Sequence, residues 1–227
     1  MTLNDNLECV LFDLDGTLLD TAPDFVAVVN ELLLENNKNP IDANTITSRV
    51  SDGARALVKH AFEIDSEHVN FQRLYERLLE LYKRKLGTTE STLYPGLESL
   101  LVRLDESLIP WGIVTNKPEL YAKILLSQLN LLKRCDVLIC PDHVRKRKPD
   151  PEPIHLACQK LKCNENRSVY IGDHVRDIRA AESANVTSIA AAYGYLNQET
   201  RVESWKADFI VRNSTELEQL LNSLRFR

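Results

Sequence analysis

Short apolar runs alternate with segments of helical periodicity along most of this 227-residue chain. Such an alternation is typical of a parallel sheet whose strands are joined by crossover helices. We therefore predict an α/β core. The predicted strands are Cys9–Phe12, Trp111–Thr115, Val137–Cys140, Ser168–Ile171, Thr187–Ala190 and Asp208–Val211. The predicted helices are Gly96–Leu104, Pro118–Leu132, Pro151–Lys162, Arg176–Ala184 and Ser214–Leu224.

One long interval interrupts this alternation. From about residue 21 to residue 92 there is no convincing strand, but there are amphipathic stretches such as Phe25–Glu35 and Phe71–Leu86. Their apolar residues recur at helical spacing. We therefore predict an inserted α-helical subdomain over residues 21–93, which divides the α/β core into residues 1–20 and 94–227.

The composition excludes several classes of protein. Hydrophobic residues make up 44% of the chain and charged residues 27%, as in globular proteins. The net charge of −5 argues against a surface for nucleic acid or anionic lipid. No apolar run approaches the roughly 18 residues that span a bilayer, and the first residues lack a secretory pattern. We expect a cytoplasmic monomer whose five cysteines, without a CxxC pair, are buried thiols.

Two aspartates follow the first predicted strand. Asp13 and Asp15 are two residues apart, so on an extended chain both side chains face the same side. Two close carboxylates repel each other unless a cation lies between them or one of them is protonated, and either condition suits catalysis. The alternative is an acidic turn at Asp15–Gly16. On these residues alone, both interpretations stay open.

A second acidic cluster follows the fourth predicted strand. Asp173 comes directly after Gly172, and Asp177 lies four residues further on. The alternative role for Asp173 is to cap a helix. However, the carboxyl ends of parallel strands open onto one crevice, so we expect these acids to meet those of the first strand. Three oxygen donors there suit a hard cation such as Mg²⁺.

Two further strand ends carry groups that suit an anion. Thr115 and Asn116 directly follow a strand and offer a hydroxyl and an amide, although Asn116 is also a candidate helix cap before Pro118. The basic run 145–148 precedes a helix, and such a run is usually a solvated surface. We expect Lys148 to turn inward, because a bound phosphate and the acidic cluster need a counter-charge.

Together these residues resemble the four sequential motifs of the haloacid dehalogenase-like (HAD) superfamily. The motifs correspond to Asp13–Thr17, Thr115, Lys148 and Gly172–Asp177, and the helical insertion is similar to the family's C1-type cap. The resemblance implies the HAD fold, a Rossmann-like parallel sheet with a helical cap. It also implies phosphoester chemistry, because members that cleave carbon–halogen or phosphonate bonds lack an acid at the position of Asp15.

The resemblance implies a role for each acid. Asp13 would be the nucleophile that becomes an aspartyl phosphate. Asp15 would protonate the leaving oxygen and then activate the water that cleaves the intermediate. Mg²⁺ would be held by Asp13, by the backbone carbonyl of Asp15 and by Asp173, with Asp177 as a supporting acid.

The remaining candidate residues concern the substrate. The resemblance assigns Thr115 and Lys148 to the phosphoryl oxygens, so specificity must lie in the cap. There Ser51–Arg55 is a polar stretch that contains a glycine, and Arg55 is a candidate to pair with a substrate carboxylate. The alternative is an ordinary surface arginine at a helix start.

Four longer segments resemble the phosphoglycolate phosphatase group, and more closely its bacterial N-acetylmuramic acid 6-phosphate phosphatases, which act in peptidoglycan recycling. The segments are SDGARALV, VTNKPELYA, CPDHVRKRKPDPEPIHLACQ and IGDHVRDIRAAESANVTSIAAAYGY. Both kinds of substrate are small phosphorylated metabolites with a carboxylate. The resemblance favours N-acetylmuramic acid 6-phosphate, with 2-phosphoglycolate as the alternative.

Two other interpretations stay open. A phosphosugar mutase would use the same four motifs but would shield the aspartyl phosphate from water. A receiver-type signalling module that accepts a phosphoryl group also uses strand-end acids, a threonine and a lysine. Receivers are much shorter than this chain and lack a helical insertion, which disfavours that alternative.

Overall fold

The computed structural model of the protein describes residues 7–197 and 200–223. The strands in these residues are β1 (Cys9–Phe12), β2 (Leu19–Asp20), β3 (Thr92–Leu93), β4 (Trp111–Val114), β5 (Val137–Ile139), β6 (Ser168–Gly172), β7 (Thr187–Ala191) and β8 (Phe209–Val211). The α-helices are α1 (Ala22–Glu35), α2 (Ala43–Thr47), α3 (Ala54–Phe62), α4 (Phe71–Lys85), α5 (Leu97–Glu106), α6 (Glu119–Gln128), α7 (Glu152–Leu161), α8 (Val175–Ser183) and α9 (Ser214–Ser223).

The main sheet is parallel throughout and has the strand order β5-β4-β1-β6-β7-β8. Strand β1 lies between β4 and β6, and Val10 is in register with Trp111 on one side and Val169 on the other. Strands β1, β4 and β5 form one half of the main sheet, and strands β6, β7 and β8, which come later in the chain, form the other half. The point where the order reverses therefore lies beside β1, which is where ligands bind in open α/β sheets.

Strand β1 is buried on both faces, as its unbroken apolar sequence predicts. Successive side chains point to opposite faces of a sheet. Cys9 and Leu11 accordingly pack in a cluster with residues of α7 and α8. Val10 and Phe12 pack on the other face with residues of α5, α6 and the inserted helices. Helices on both faces confirm the predicted α/β class.

Helices α1 to α4 occupy the interval without predicted strands. Helix α4 is strongly amphipathic and buries one apolar stripe, which consists of Phe71, Leu74, Leu78, Leu81 and Tyr82. Complete burial of such a side chain contributes about 1.5–3 kcal/mol to stability. Strands β2 and β3 pair in antiparallel fashion at the two crossings between sheet and insertion, Leu19 opposite Leu93 and Asp20 opposite Thr92. The division at residues 21–93 stays a prediction.

The predicted elements of the core agree with the observed ones, and the differences lie at their ends. Helix α6 ends at Gln128 instead of Leu132, because Asn130 adopts a left-handed backbone conformation with φ of 57°. Strands β2 and β3 are only two residues long each, which is too short for a recognisable sequence pattern. The predicted end of the last helix, Leu224, lies outside the described residues.

Within the described ranges, no helix combines the length and the apolar character needed to cross a membrane. The five cysteines are free: Cys9, Cys140 and Cys158 are buried, whereas Cys135 and Cys163 are partly exposed. The expectation of buried thiols therefore holds for three of them.

Candidate active site

Three carboxylates meet at the carboxyl ends of β1 and β6. Asp13 follows β1, and its backbone N–H donates to the Ile171 carbonyl of β6 over 2.8 Å. Asp13, Asp173 and Asp177 each place a carboxylate oxygen within 4.8 Å of the others. Asp173 and Asp177 are buried, and the Asp13 side chain is 13% exposed. The predicted meeting of these acids at one strand-end crevice is therefore what the structure shows.

The loop after β1 passes close to Asp173, and a glycine makes this approach feasible. Gly16 has a φ of +80°, and a Cβ there would lie 2.1 Å from Asp173 Oδ2. A residue with a side chain would therefore be strained by its backbone conformation and would also collide with the carboxylate. Gly16 thus fixes the distance between the two acidic segments.

Lys148 supplies a positive charge inside this acidic cluster. Its Nζ lies 2.9 Å from Asp13 Oδ1 and 2.7 Å from Asp177 Oδ1, and it donates to the Val114 carbonyl over 2.8 Å. Burial opposes the charge on Lys148, but the two carboxylates outweigh it and raise its pKa. The three preceding basic residues are exposed, whereas Lys148 is 2% exposed.

Asp173 is the least satisfied of the acids. Its Oδ2 accepts hydrogen bonds from Ser51 Oγ at 2.8 Å and from the Tyr195 backbone N–H at 2.9 Å. Its Oδ1 is buried and has no hydrogen-bond partner among the residues that the structure describes. Burial, followed by the charges of Asp13 and Asp177, raises the pKa of Asp173 well above its usual value.

This arrangement fits a divalent cation. A buried carboxylate oxygen without a donor is costly, and a bound cation would satisfy it while screening the repulsion among the three acids. Mg²⁺ prefers one or two carboxylates together with water and substrate oxygens. The structure therefore contains an acidic cluster that could hold such an ion, formed by Asp13, Asp173 and Asp177.

Asp15 has a different environment from the other acids. Its Oδ1 accepts hydrogen bonds from Thr21 Oγ1 and from Lys117 Nζ, both over 2.7 Å. The Lys117 ammonium lies 5.1 Å from the ring centre of Phe25 and 4.7 Å from that of Tyr82. These contacts fix the position of the carboxyl group beside the cavity. Lys117 has no role in the sequence-based assignment of the site.

Thr115 and Asn116 lie where strand β4 ends. The backbone N–H of Thr115 donates to the Ile139 carbonyl over 2.9 Å, which extends the pairing of β4 with β5 by one residue. The Asn116 side chain donates to the Lys148 carbonyl over 3.1 Å. Both residues line the same cavity as Asp13 and Asp15, so the structure brings these sequence candidates together.

The cavity lies between the carboxyl edge of the sheet and the inserted helices. Its empty volume is about 770 Å³, which includes space that is open to solvent. One wall is aromatic and consists of Phe25, Tyr82 and Tyr121. Arg147 and Arg176 also line the cavity, so cationic groups lie beside an apolar surface.

The structure does not bring Arg55 to this cavity. Arg55 is exposed on α3, and its guanidinium lies 4.7 Å from the ring centre of Phe71 and 5.0 Å from that of Tyr75. Burial of Leu57 and Val58 on the inner face of α3 turns Arg55 outward. The neighbouring residues Ser51 to Gly53 line the cavity in its place.

The segment from Ser51 to Gly53 contacts the loop that follows β6. Besides the bond from Ser51 to Asp173, the Arg176 guanidinium donates to the Ser51 carbonyl. His174 Nε2 lies 3.5 Å from Asp52 Oδ1, and this contact lowers the pKa of Asp52. The inserted helices therefore close over the acidic cluster through one short segment.

The same strand-end arrangement is found in a known family. The family model for haloacid dehalogenase-like hydrolases matches residues 10–191. The chain belongs to this HAD family. The matched range includes the acids after β1 and β6, Thr115 and Lys148, and the predicted membership of this superfamily is confirmed.

Relatives that match along nearly their whole length indicate the activity of this HAD hydrolase. It is 42% identical over 217 residues to the N-acetylmuramic acid 6-phosphate phosphatase of Pseudomonas putida, covering 96% of this chain and 97% of that protein. It is 41% identical to the phosphoglycolate phosphatase of Xanthomonas campestris pv. campestris, covering 92% and 93%. The protein is therefore a phosphatase, a hydrolase of phosphomonoesters.

Solved structures agree with the fold. A predicted phosphoglycolate phosphatase from Haemophilus somnus superposes with a TM-score of 0.83, covering 95% of this chain and 98% of that one at 24% identity. At this identity the likeness establishes the fold alone. The two chains therefore share one fold over nearly their whole length.

Proposed function

We propose that this HAD phosphatase hydrolyses N-acetylmuramic acid 6-phosphate, uses Mg²⁺, and forms an aspartyl phosphate at Asp13. The observation that carries the mechanism is the cluster of Asp13, Asp173 and Asp177 around one unpartnered buried oxygen, beside Lys148. The substrate assignment is supported by 42% and 39% identity to two Pseudomonas enzymes of that name. It places the protein in the recycling of cell-wall sugars.

The metal would be held by Asp13 and Asp173, by the backbone carbonyl of Asp15, and with support from Asp177. When bound, Mg²⁺ withdraws electron density from the phosphoryl group and screens it from the nearby carboxylates. The chain's own contribution is to hold these oxygens in place, since Ser51 and Tyr195 both bond to Asp173. An anionic nucleophile can then approach an anionic phosphate.

In the first step, a carboxylate oxygen of Asp13 bonds to phosphorus while the bond from phosphorus to the sugar oxygen breaks. Asp15 gives its proton to the departing sugar oxygen. In the second step, Asp15 takes a proton from water, the water oxygen bonds to phosphorus, and the bond to Asp13 breaks. Lys117 and Thr21 hold the Asp15 carboxyl group through both steps.

Thr115 and Lys148 would bind the phosphoryl oxygens during both steps. Lys148 is already positioned within 2.9 Å of Asp13 Oδ1, so its ammonium lies beside the oxygen that attacks. Charge spreads over the phosphoryl oxygens in a loose transition state. A buried ammonium stabilises that charge more than an exposed one, because the surroundings are less polarisable than water.

The cavity suits a phosphorylated sugar acid. N-acetylmuramic acid 6-phosphate has a pyranose ring, an acetamido group and a lactyl carboxylate. The aromatic wall of Phe25, Tyr82 and Tyr121 offers an apolar face to the ring, and the Arg176 guanidinium offers paired donors to the carboxylate. The second candidate, 2-phosphoglycolate, is supported by the relative at 41% identity, but it has no ring to cover the aromatic wall.

The test is phosphate release by the purified protein with Mg²⁺ and three substrates. N-acetylglucosamine 6-phosphate is the matched control, because it lacks only the lactyl group with its carboxylate. We expect kcat/KM for N-acetylmuramic acid 6-phosphate to exceed that for the control by at least about tenfold, the value of one charge-assisted contact. It should also exceed that for 2-phosphoglycolate, which has a carboxylate but no ring to cover the aromatic wall.

Other outcomes would contradict the proposal in different ways. A preference for 2-phosphoglycolate would identify that compound as the substrate instead. An isomerised sugar phosphate with little free phosphate would indicate a mutase. A long-lived phosphoprotein without turnover would indicate a receiver-type module.

A further inference from the structure

Three cysteines form a cluster at the opposite edge of the sheet from the active site. Cys9 begins β1, Cys158 lies on α7, and Cys163 lies just after that helix. Their sulfur atoms all lie within 4.8 Å of one another. The Cys9 and Cys163 sulfurs are 2.9 Å apart, and the Cys9 sulfur lies 3.1 Å from Ser168 Oγ.

This cluster is separate from the catalytic groups. Asp13 lies four residues after Cys9 along an extended strand, and each residue advances a strand by about 3.3 Å, which gives a separation of roughly 13 Å. The HAD mechanism uses the carboxyl ends of the strands, whereas Cys9 lies at an amino end. The phosphatase reaction therefore gives these thiols no role.

The three thiols differ in access to solvent. Cys9 and Cys158 are 0% and 2% exposed, whereas Cys163 is partly exposed. A small oxidant can therefore reach Cys163 first, and the sulfur nearest to it belongs to a buried partner. Cys135 is also partly exposed, but it lies outside the cluster of three sulfurs.

The cluster also favours a thiolate at Cys163. Side-chain contacts with Cys158 and Cys9 lower the pKa of Cys163, whereas those with Cys158 and Cys163 raise the pKa of Cys9. Burial instead raises the pKa of Cys135 to about 11 and that of Cys140 to about 12. Because the thiolate is the reactive form, the more reactive sulfur is also the more exposed one.

We propose that Cys163 is a site of reversible oxidation, which reacts with hydroperoxides and then forms a disulfide with Cys9. The partner is Cys9, because its sulfur lies 2.9 Å from that of Cys163, whereas the Cys158 sulfur is placed only within 4.8 Å. The bond would join the start of the central strand to the segment after α7. It would close a loop of most of the chain, which constrains the unfolded state.

The chemistry balances with hydrogen peroxide as the oxidant. The Cys163 thiolate attacks one peroxide oxygen, the O–O bond breaks, and hydroxide leaves and is protonated to water. The Cys9 sulfur then attacks the Cys163 sulfur, the S–O bond breaks, and the hydroxide takes the Cys9 proton. Together the two thiols lose two electrons and two protons, and one hydrogen peroxide is reduced to two waters.

The experiment uses the full chain, treated with hydrogen peroxide, alkylated without reductant and digested for mass spectrometry. We expect a peptide pair that joins Cys9 to Cys163 and disappears after dithiothreitol treatment. The oxidised protein should also unfold at a Tm higher by several degrees. Before oxidation, Cys163 should be alkylated faster than Cys135.

Two variants separate the proposed pair from general thiol oxidation. Cys135→Ser should retain the cross-link, and Cys163→Ser should abolish it and leave Cys9 free to be alkylated after unfolding. The mapping of the unmodified chain is decisive even if a variant folds poorly.

Several results would overturn the proposal. These are oxidation of Cys163 to the sulfinic acid without a cross-link, a bond to Cys158, and a bond between two copies of the chain. Protection of all three thiols from alkylation before oxidation, relieved by a chelator, would show a metal site instead.

Discussion

The two sides of the active-site cavity are built in different ways. On the sheet side, Asp13 and the neighbouring Asp173 follow strands whose register is fixed by pairing, and the Lys148 side chain reaches the Val114 carbonyl at the end of β4. On the side of the inserted helices, Ser51 belongs to a short irregular segment, and Phe25 and Tyr82 are side chains of α1 and α4. The sheet therefore holds the groups that react, and the insertion supplies a surface that can differ without moving them.

Specific contacts join the two sides, including that of the Lys117 ammonium with the rings of Phe25 and Tyr82. Ser51 donates to Asp173 and accepts from Arg176, and the Tyr195 hydroxyl bonds to the residues where the chain enters α1. If chemistry and recognition are divided in this way, variants of the acids at the strand ends should reduce kcat. Variants on the recognition surface should raise KM and leave kcat nearly unchanged.

The largest effect is expected for Asp13→Asn. The asparagine side chain cannot form the aspartyl phosphate, so kcat should fall by at least about a thousandfold. The Tm should stay close to that of the wild type. Steady-state phosphate release and thermal unfolding check this. The matched control is Asp65→Asn at an exposed carboxylate, which should keep normal turnover. Near-normal turnover of Asp13→Asn would refute its role as nucleophile.

A large effect is also expected for Asp173→Asn. Burial and the neighbouring acids raise the pKa of the Asp173 carboxyl group. The uncharged amide of asparagine avoids this unfavourable ionisation, so the variant should raise the Tm of the metal-free protein. The same change should abolish the increase in Tm caused by Mg²⁺ and reduce kcat by at least about a hundredfold. An unchanged response to Mg²⁺ would show that the metal lies elsewhere.

The raised pKa of Asp173 also predicts a pH dependence. The folded metal-free protein holds this proton more tightly than the unfolded chain, so its stability should fall as pH rises above the pKa of the unfolded carboxyl group. Mg²⁺ must displace the proton, so its affinity should increase with pH. Thermal unfolding across a pH series, with and without Mg²⁺, measures both trends, and Asp173→Asn should flatten them.

An intermediate effect is expected for Arg176→Gln. The amide can still donate to the Ser51 carbonyl but cannot pair with a carboxylate, so KM for N-acetylmuramic acid 6-phosphate should rise about tenfold. KM for N-acetylglucosamine 6-phosphate should change much less. Arg55→Gln is the matched control and should alter neither value by more than about twofold. A larger change in KM for Arg55→Gln would indicate that Arg55 on α3 contacts the substrate.

The smallest effect is expected for Tyr195→Phe. The hydroxyl accepts from the backbone N–H groups of Thr21 and Ala22 and donates to Asp20, while the Tyr195 backbone bonds to Asp173. Its loss should lower kcat by about three- to tenfold, because the entry to α1 would no longer be tied to the acidic cluster. Tyr75→Phe, at a tyrosine of α4 that stacks on Phe71, is the control and should remain within about twofold.

The sequence predicts the sheet side better than the insertion. Uninterrupted apolar runs such as Cys9–Phe12 identify buried parallel strands, and acids that follow them must converge at one edge. The same logic finds Lys148, since a cluster of acids needs a counter-charge. It does not find Lys117, whose contact with Asp15 is seen only in the structure.

Recognition groups are harder to predict because they depend on contacts between distant segments. Arg55 and Arg176 are both arginines at helix starts, and no local pattern tells which one faces the cavity. The packing of α3 turns Arg55 outward, and the loop after β6 turns Arg176 inward. Tyr195 likewise lies far along the chain from α1, with which it forms hydrogen bonds.

The central claim is that Asp13 accepts the phosphoryl group. The most direct measurement is acid quenching during turnover of N-acetylmuramic acid 6-phosphate, followed by mass spectrometry of the peptide that contains the first strand. A phosphoryl group on Asp13 that forms and decays at rates consistent with kcat is the predicted result. Turnover with phosphate release but with the phosphoryl group on another residue, or on none, would contradict it.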